Sequence, residues 1–189
     1  MSTLVLIRHG ESIWNAQNRF TGWIDVPLSE KGRGEAQRAA EKIRHLSFDV
    51  AYTSALWRAQ ETLQIILKEL GRTELPVIRH QALNERDYGD LSGLDKAETA
   101  KRYGDAIVKL WRRSYDIAPP GGESLKDTAA RTIPFFERTI GLDLKAGRNV
   151  LVVAHGNSNR SIAMTLENLS PEQVVSLELA TGEPRIYER

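Results

Sequence analysis

Two runs, Leu4-Val5-Leu6-Ile7 near the start of the chain and Val150-Leu151-Val152-Val153-Ala154 near its end, are apolar at every consecutive position. A strand with one wet face alternates apolar and polar residues. Continuous apolar character marks a strand covered on both faces, and sheets of that kind are mainly parallel with helices on either side. Each run stops at a charged or polar tip, Arg8-His9-Gly10-Glu11 in one case and His155-Gly156-Asn157 in the other. Two of the chain's four histidines therefore occupy equivalent strand ends, where α/β proteins place their chemistry. Paired imidazoles beside an arginine suggest phosphoryl transfer through histidine.

The rest of the chain fits this frame. Apolar runs alternate with helical periodicity, which predicts a three-layer α/β/α arrangement in one domain spanning residues 1–189. Ser29 can cap a helix whose Ala36, Ala39, Ala40, Ile43 and Leu46 share one face. A strand over Asp49 to Thr53 follows, then a second amphipathic helix through Leu56, Ala59, Leu63, Ile66 and Leu70 that Gly71 can end. Pro76-Val77-Ile78 reads as an edge strand. Gln81 to Pro120 lacks a strand pattern and is expected to form a helical insertion over the sheet, with short helices near Lys96 to Tyr103 and Asp105 to Arg113. Ser124 and Asp127 form a capping-box pattern for a helix to about Ile140, which Pro134 should kink or shorten. Ser170-Pro171-Glu172-Gln173 is a further helix start. The long aperiodic stretch from Glu11 to Leu28 begins at the first histidine tip, and loops of that length are usually functional.

Composition narrows the function less. With 26 Lys and Arg against 25 Asp and Glu the net charge is +1, so neither nucleic acid nor an anionic membrane is expected as a partner. Any anion must be captured by a local cluster. Zero cysteines exclude disulfide and thiol chemistry and remove the commonest zinc ligands. The first strand follows Met1-Ser2-Thr3 directly and no apolar stretch reaches membrane-spanning length, which predicts a cytoplasmic protein.

For His9 to attack phosphorus, one ring nitrogen must be unprotonated while the other is held as a donor, as a nearby backbone carbonyl would do. Arg8 would lower the histidine pKa and bind phosphoryl oxygens with the same guanidinium. Arg58, just after the second strand, and His155 are the natural additional donors for the charge on the transferring group. A leaving alkoxide needs a proton, and Glu85 is the best candidate on sequence grounds, ranked only slightly above Glu11. Near a bound phosphate the pKa of such a carboxyl would rise, as suits a group acting first as acid and then as base.

At these residues the chain resembles the histidine phosphatase superfamily and, within it, the 2,3-bisphosphoglycerate-dependent phosphoglycerate mutases. Arg8-His9-Gly10 alone resembles only the superfamily, while Arg8 to Ser12, Asn15 to Trp23, Leu28 to Gly32, Tyr52-Thr53-Ser54 and His155-Gly156-Asn157-Ser158 together resemble the mutases' motifs. The mutase resemblance rests most specifically on Phe20-Thr21-Gly22-Trp23, Leu83-Asn84-Glu85-Arg86, Lys96-Ala97-Glu98-Thr99 and Trp111-Arg112-Arg113. It implies a phosphoglycerate mutase-like fold, with His9 as the phosphorylated residue, Glu85 as proton donor and acceptor, and His155 as stabiliser of the transition state. It further implies that Arg8, Asn15, Arg58, Gly156 and Asn157 hold the phosphoryl group, with Ser12 among the substrate-binding residues. Thr21, Gly22, Tyr88, Lys96, Arg112 and Arg113 would hold the rest of the substrate. The implied reaction is ping-pong interconversion of 3-phosphoglycerate and 2-phosphoglycerate. Free 2,3-bisphosphoglycerate acts as primer, and no metal takes part.

Other readings compete. A small-molecule phosphomonoesterase needs only the phosphoryl pocket, and Arg112-Arg113 on its own would be an ordinary solvated helix face. His45 reads as a favourable charge near a helix carboxyl end, His80 as part of a solvated turn, and Gly32-Arg33-Gly34 as a helix start. Asn159 stands where the family commonly has an apolar residue. The chain stops at Arg189, short of the tail with which the family commonly closes its site, so some hydrolysis of the phosphoenzyme is expected. It also lacks the segment that many members carry near Pro120 and Gly121, and either a monomer or a small homo-oligomer is consistent with this sequence.

Overall fold

The two apolar runs lie side by side. In a computed structural model describing residues 1–189, β1 (Thr3–Arg8) pairs in parallel with β4 (Val150–Ala154), with Leu4 opposite Val150 and Arg8 opposite Ala154. Between them in sequence come β2 (Val50–Thr53), parallel to β4, and β3 (Val77–Arg79), parallel to β2. The last strand, β5 (Pro184–Glu188), runs antiparallel along the outer side of β1, giving the order β3-β2-β4-β1-β5. The fold is a three-layer α/β/α sandwich around a mainly parallel sheet.

Alternate residues of the central strands feed two cores. Val5, Ile7, Leu151 and Val153 pack with Ala36, Ala39, Ala40 and Ile43 of α2 (Glu30–Ile43) and with Leu63, Ile66 and Leu67 of α3 (Trp57–Glu69). The short α1 (Ile13–Ala16) lies in the loop before them. Leu4, Leu6, Val150 and Val152 face the other way, toward Phe136, Ile140 and Ile162. Burial of each such aliphatic side chain contributes about 1.5–3 kcal/mol, which explains why neither face of β1 or β4 tolerates polar residues.

Residues 81–120 contribute two 3₁₀ turns, Gln81–Leu83 and Gly89–Leu91, and helices α4 (Lys96–Tyr103) and α5 (Asp105–Arg113). Val108, Trp111 and Leu91 close a small separate core around Phe20 of the first loop, so the insertion and that loop fold onto one another.

Pro134 limits the regular α-helical run, as expected, but the helical chain does not end near Ile140. The helix α6 (Leu125–Phe135) passes through Pro134 and continues as a π turn over Phe136–Ile140 into α7 (Gly141–Lys145). A proline removes one backbone donor, and the wider π turn that follows sets Phe136 and Ile140 on one face against the sheet. The last two helices are α8 (Gly156–Glu167), opening directly at the tip of β4, and α9 (Pro171–Ser176), capped by Ser170 with Gln173. Asn159 of α8 is buried, and its Oδ1 has no donor. No helix is long and apolar enough to cross a membrane.

Candidate active site

Parallel pairing of β1 and β4 brings their tips together. The His9 amide donates to the Ala154 carbonyl at 2.9 Å, and the His9 and His155 rings stand edge to face with centroids 4.9 Å apart. Gly10 is obligatory here, because a Cβ would meet the Gly32 carbonyl oxygen at 2.2 Å where the first turn of α2 packs on the strand tip. The Gly32-Arg33-Gly34 stretch is thus a helix start with a packing role.

The His9 ring is 2% exposed and its Nδ1 lies 2.6 Å from the Gly10 carbonyl oxygen. A carbonyl only accepts, so the proton sits on Nδ1 and the lone pair on Nε2. Burial, then the charges of Arg58 and Arg8, hold the ring well below the usual histidine pKa, and it is neutral near pH 7. Nε2 faces Arg58, whose Nε is 3.4 Å away. The remaining Arg58 nitrogens donate to the Gly22 carbonyl at 2.7 Å and the Ile24 carbonyl at 3.1 Å, tying the first loop to the site. Gly22 turns with φ +56°, a conformation that favours glycine. Arg8 donates to the Leu179 carbonyl at 3.0 Å and keeps a buried Nε without a partner.

Glu85 occupies the same cavity, whereas Glu11 does not: Glu11 is engaged with Ser29 at 2.9 Å and Lys31 at 3.0 Å. The Glu85 Oε1 accepts from the Arg86 amide at 2.8 Å, the Asn157 amide at 3.1 Å and the Asn157 side chain at 2.8 Å, leaving Oε2 without a protein donor. Burial pushes this carboxyl up, but those hydrogen bonds and the Arg8 and Arg58 charges outweigh it and hold the pKa below the usual carboxylate range. Its backbone is fixed as firmly. Arg131 of α6 donates to the carbonyls of Ala82, Asn84 and Glu85 at 2.9–3.2 Å while pairing with Glu123, and Trp23 donates to the Glu85 carbonyl at 2.5 Å.

Around these groups lies a cavity with two lobes. The inner one, about 80 Å³, is lined by Arg8, His9, Asn15, Thr21, Gly22, Arg58, Glu85, Tyr88 and Lys96, together with Arg19 and Phe20. The outer one, about 140 Å³, shares Arg8, Glu85, Tyr88 and Lys96 and adds Arg112, Arg113, Gly156 and Asn157, with Arg86, Arg160 and Glu178. Most of the site residues expected from the sequence therefore converge. Two lie outside the lining. Ser12 lines neither lobe, and its hydroxyl accepts from the Asn15 amide as the cap of α1. The reciprocal bond from the Ser12 amide to Asn15 Oδ1, 3.0 Å, points to a positional effect through Asn15. His155 also lies outside the lining, fully buried, with Nε2 2.7 Å from Ser54 Oγ and Nδ1 without a partner. His80 is exposed and belongs to a turn, as expected; its Nδ1 caps Gln81–Leu83 and its ring stacks on Phe135 at 4.2 Å.

The sequence reading did not single out Arg19, Arg86 or Arg160. Arg160 was findable, because it follows Asn157 by three residues on α8 and so shares its face. Arg86 is almost fully buried, reaches the Tyr88 hydroxyl at 3.0 Å and the Arg112 carbonyl at 3.2 Å, and retains an unpartnered Nε. No three His, Cys, Asp or Glu side chains converge as a metal-ligand set.

Buried neutral histidines make stability depend on pH. Burial, then Arg58, holds His155 well below the usual histidine pKa, as burial and the arginines do for His9. Above about pH 6.5 neither ring contributes. Below it the unfolded chain takes up protons that the fold refuses, so stability falls by up to about 1.4 kcal/mol per pH unit for each histidine. Urea midpoints in phosphate-free buffer should drop between about pH 7 and about pH 5.5, and His155→Asn should halve the slope. A flat parental profile over that range contradicts the neutral pair.

The family profile for the histidine phosphatase superfamily, branch 1, matches residues 4–188. A 2,3-bisphosphoglycerate-dependent phosphoglycerate mutase of Nitrobacter winogradskyi is 58% identical over 97% of this chain and 90% of its own length. One of Gloeobacter violaceus is 56% identical over 100% of this chain and 86% of its own. Among solved structures, a mycobacterial glucosyl-3-phosphoglycerate phosphatase superposes with TM-score 0.86 at 30% identity, covering 98% of this chain and 90% of that one. A phosphoglycerate mutase from Bacillus anthracis gives 0.83 at 26%, covering 99% and 88%. The fold is thus shared by mutases and phosphatases and does not by itself separate the two activities.

Proposed function

The chain belongs to the histidine phosphatase superfamily and, within it, to the phosphoglycerate mutases, and from that premise we propose that it interconverts 3-phosphoglycerate and 2-phosphoglycerate through a phosphohistidine at His9. The observation that carries this reading is that the two lobes share Arg8, Glu85, Tyr88 and Lys96 as common walls. A phosphoglycerate presents a phosphate and a carboxylate, and one lobe offers Arg8 and Arg58 beside the nucleophile while the other offers Lys96, Arg112 and Arg113.

The site's residues divide the chemistry as follows. Nε2 of His9 forms a bond to phosphorus as the bond from phosphorus to the leaving oxygen breaks, and Glu85 delivers a proton to that oxygen. In the return half-reaction a substrate hydroxyl attacks the phosphorus and passes its proton to Glu85 as the bond from phosphorus to His9 Nε2 breaks and the electron pair returns to the ring. Arg8, Arg58, Asn15 and His155 hold the charge of the transferring group. Gly156 and Asn157, at the start of α8, join them in holding the phosphoryl group, while Thr21, Gly22, Tyr88, Lys96, Arg112 and Arg113 hold the remainder of the substrate. Unpartnered buried atoms at Arg8, Thr21, Arg86 and His155 fit a bisanionic ligand such as 2,3-bisphosphoglycerate. When bound, that ligand supplies the phosphoryl group that primes His9. Small phosphoglycerates are the partners this reading requires, and the cytoplasm is where it places the protein.

The test is conversion of 3-phosphoglycerate with and without added 2,3-bisphosphoglycerate, with 2-phosphoglycerate and free phosphate measured together. Isomer should accumulate at a rate that rises with the primer. Free phosphate without isomer would overturn the mutase reading in favour of a phosphomonoesterase using the same phosphohistidine.

A further inference from the structure

We infer that Ser54 is a positioning residue that fixes the tautomer of His155, so that this ring presents an N–H to the transferring phosphoryl group. The inference rests on the phosphohistidine reading above and assigns a role to a residue outside the cavity lining. Ser54 is fully buried at the end of β2, and its Oγ lies 2.7 Å from His155 Nε2.

Which of the two atoms donates is decided by the rest of the hydroxyl's environment. Ser54 Oγ already accepts the Leu56 amide at 3.1 Å, and its only other partner is His155 Nε2. If Nε2 carried the proton, the oxygen would accept twice. Its own hydrogen would then point at nothing in a fully buried place, and Nδ1 of His155 would be left as a bare acceptor with no donor in reach. Buried polar groups are rarely abandoned in pairs. With the Ser54 O–H donating to Nε2, the hydroxyl is satisfied and a single group, Nδ1–H, awaits a partner. A phosphoryl oxygen is that partner.

The two strand-tip histidines then share one tautomer and have opposite uses. At His9 the Nδ1–H is occupied by the Gly10 carbonyl, which frees the Nε2 lone pair for attack. At His155 the Nε2 lone pair is occupied by Ser54, which frees Nδ1–H for donation. Burial, then Arg58, keeps the His155 ring neutral, so charge cannot supply the donor and the tautomer must.

Long-range ¹H–¹⁵N spectra of the ¹⁵N-labelled parent, read for the four imidazoles, test this directly. His155 should be neutral near pH 7 with its proton on Nδ1. Ser54→Ala should move its nitrogen shifts toward the Nε2–H form. The same change should slow phosphorylation of His9 by about 10- to 100-fold with little change in KM, less than the roughly 10²- to 10³-fold loss expected when a preorganised donor is removed outright. An Nε2–H ring in the parent would overturn the assignment, as would unchanged spectra and rates in Ser54→Ala. The spectra need no substrate, so failure of the mutase reading would leave this result standing, and a full mutase with the wrong tautomer would sink this inference alone.

Discussion

His9→Ala should form no phosphoenzyme and should lose turnover by about 10⁴-fold or more, the scale seen when a covalent nucleophile is removed. The size of the effect follows from the tautomer. Nδ1 is held by the Gly10 carbonyl at 2.6 Å, so Nε2 is the ring's one lone pair, and burial with Arg8 and Arg58 keeps it unprotonated near pH 7. His155 cannot replace it, because its Nε2 is already engaged with Ser54. The check is acid-labile, base-stable phosphate on the protein after mixing with 2,3-bisphosphoglycerate, read beside the rate of isomerisation. Turnover of His9→Ala at the parental rate would sink the mechanism.

The two histidine tips were legible because their signal is local: an unbroken apolar run followed at once by the reactive residue. Helix starts at Ser29, Ser124 and Ser170 were legible for the same reason, since a cap and its third-residue partner lie within one turn. Longer-range features were not. β5 carries Pro184, Arg185 and Glu188 and reads as polar chain, yet pairing with β1 on one side is enough to make it a strand. The π turn after Pro134 depends on the fit of Phe136 and Ile140 to a sheet distant in sequence. At the site, the residues alone favour Glu85 only slightly over Glu11, and the family resemblance makes the choice. What separates them is Arg131, Trp23 and Asn157, drawn from three other elements to hold Glu85 at the cavity, while the local pair Ser29 and Lys31 holds Glu11 away from it. Ser12 misled for the opposite reason, its capping hydrogen bond being invisible in a motif that places it beside true cavity residues.

The same convergence on Glu85 sets the second large expected effect. Glu85→Gln preserves the shape and an acceptor for Asn157 but removes the proton donor. The rate with phosphoglycerates should therefore fall by about 10²- to 10⁴-fold, the usual contribution of a positioned general acid. A substrate whose leaving group needs no proton, such as p-nitrophenyl phosphate, should be affected far less in its phosphorylation of His9. The contrast between substrates separates proton transfer from electrostatics. The Glu85 carboxylate also offsets the cations at Arg8 and Arg58, and its removal would strengthen their hold on any phosphate regardless of leaving group. Equal losses on both substrates would show that Glu85 acts by shaping the site's charge. A loss confined to alkoxide leaving groups would assign it the proton. In the free protein the arginines and hydrogen-bond donors keep this carboxyl ionised, which is the form needed to accept a proton from the attacking hydroxyl. Acting as an acid in the other half-reaction requires a bound phosphoryl group to raise its pKa by adding negative charge beside it.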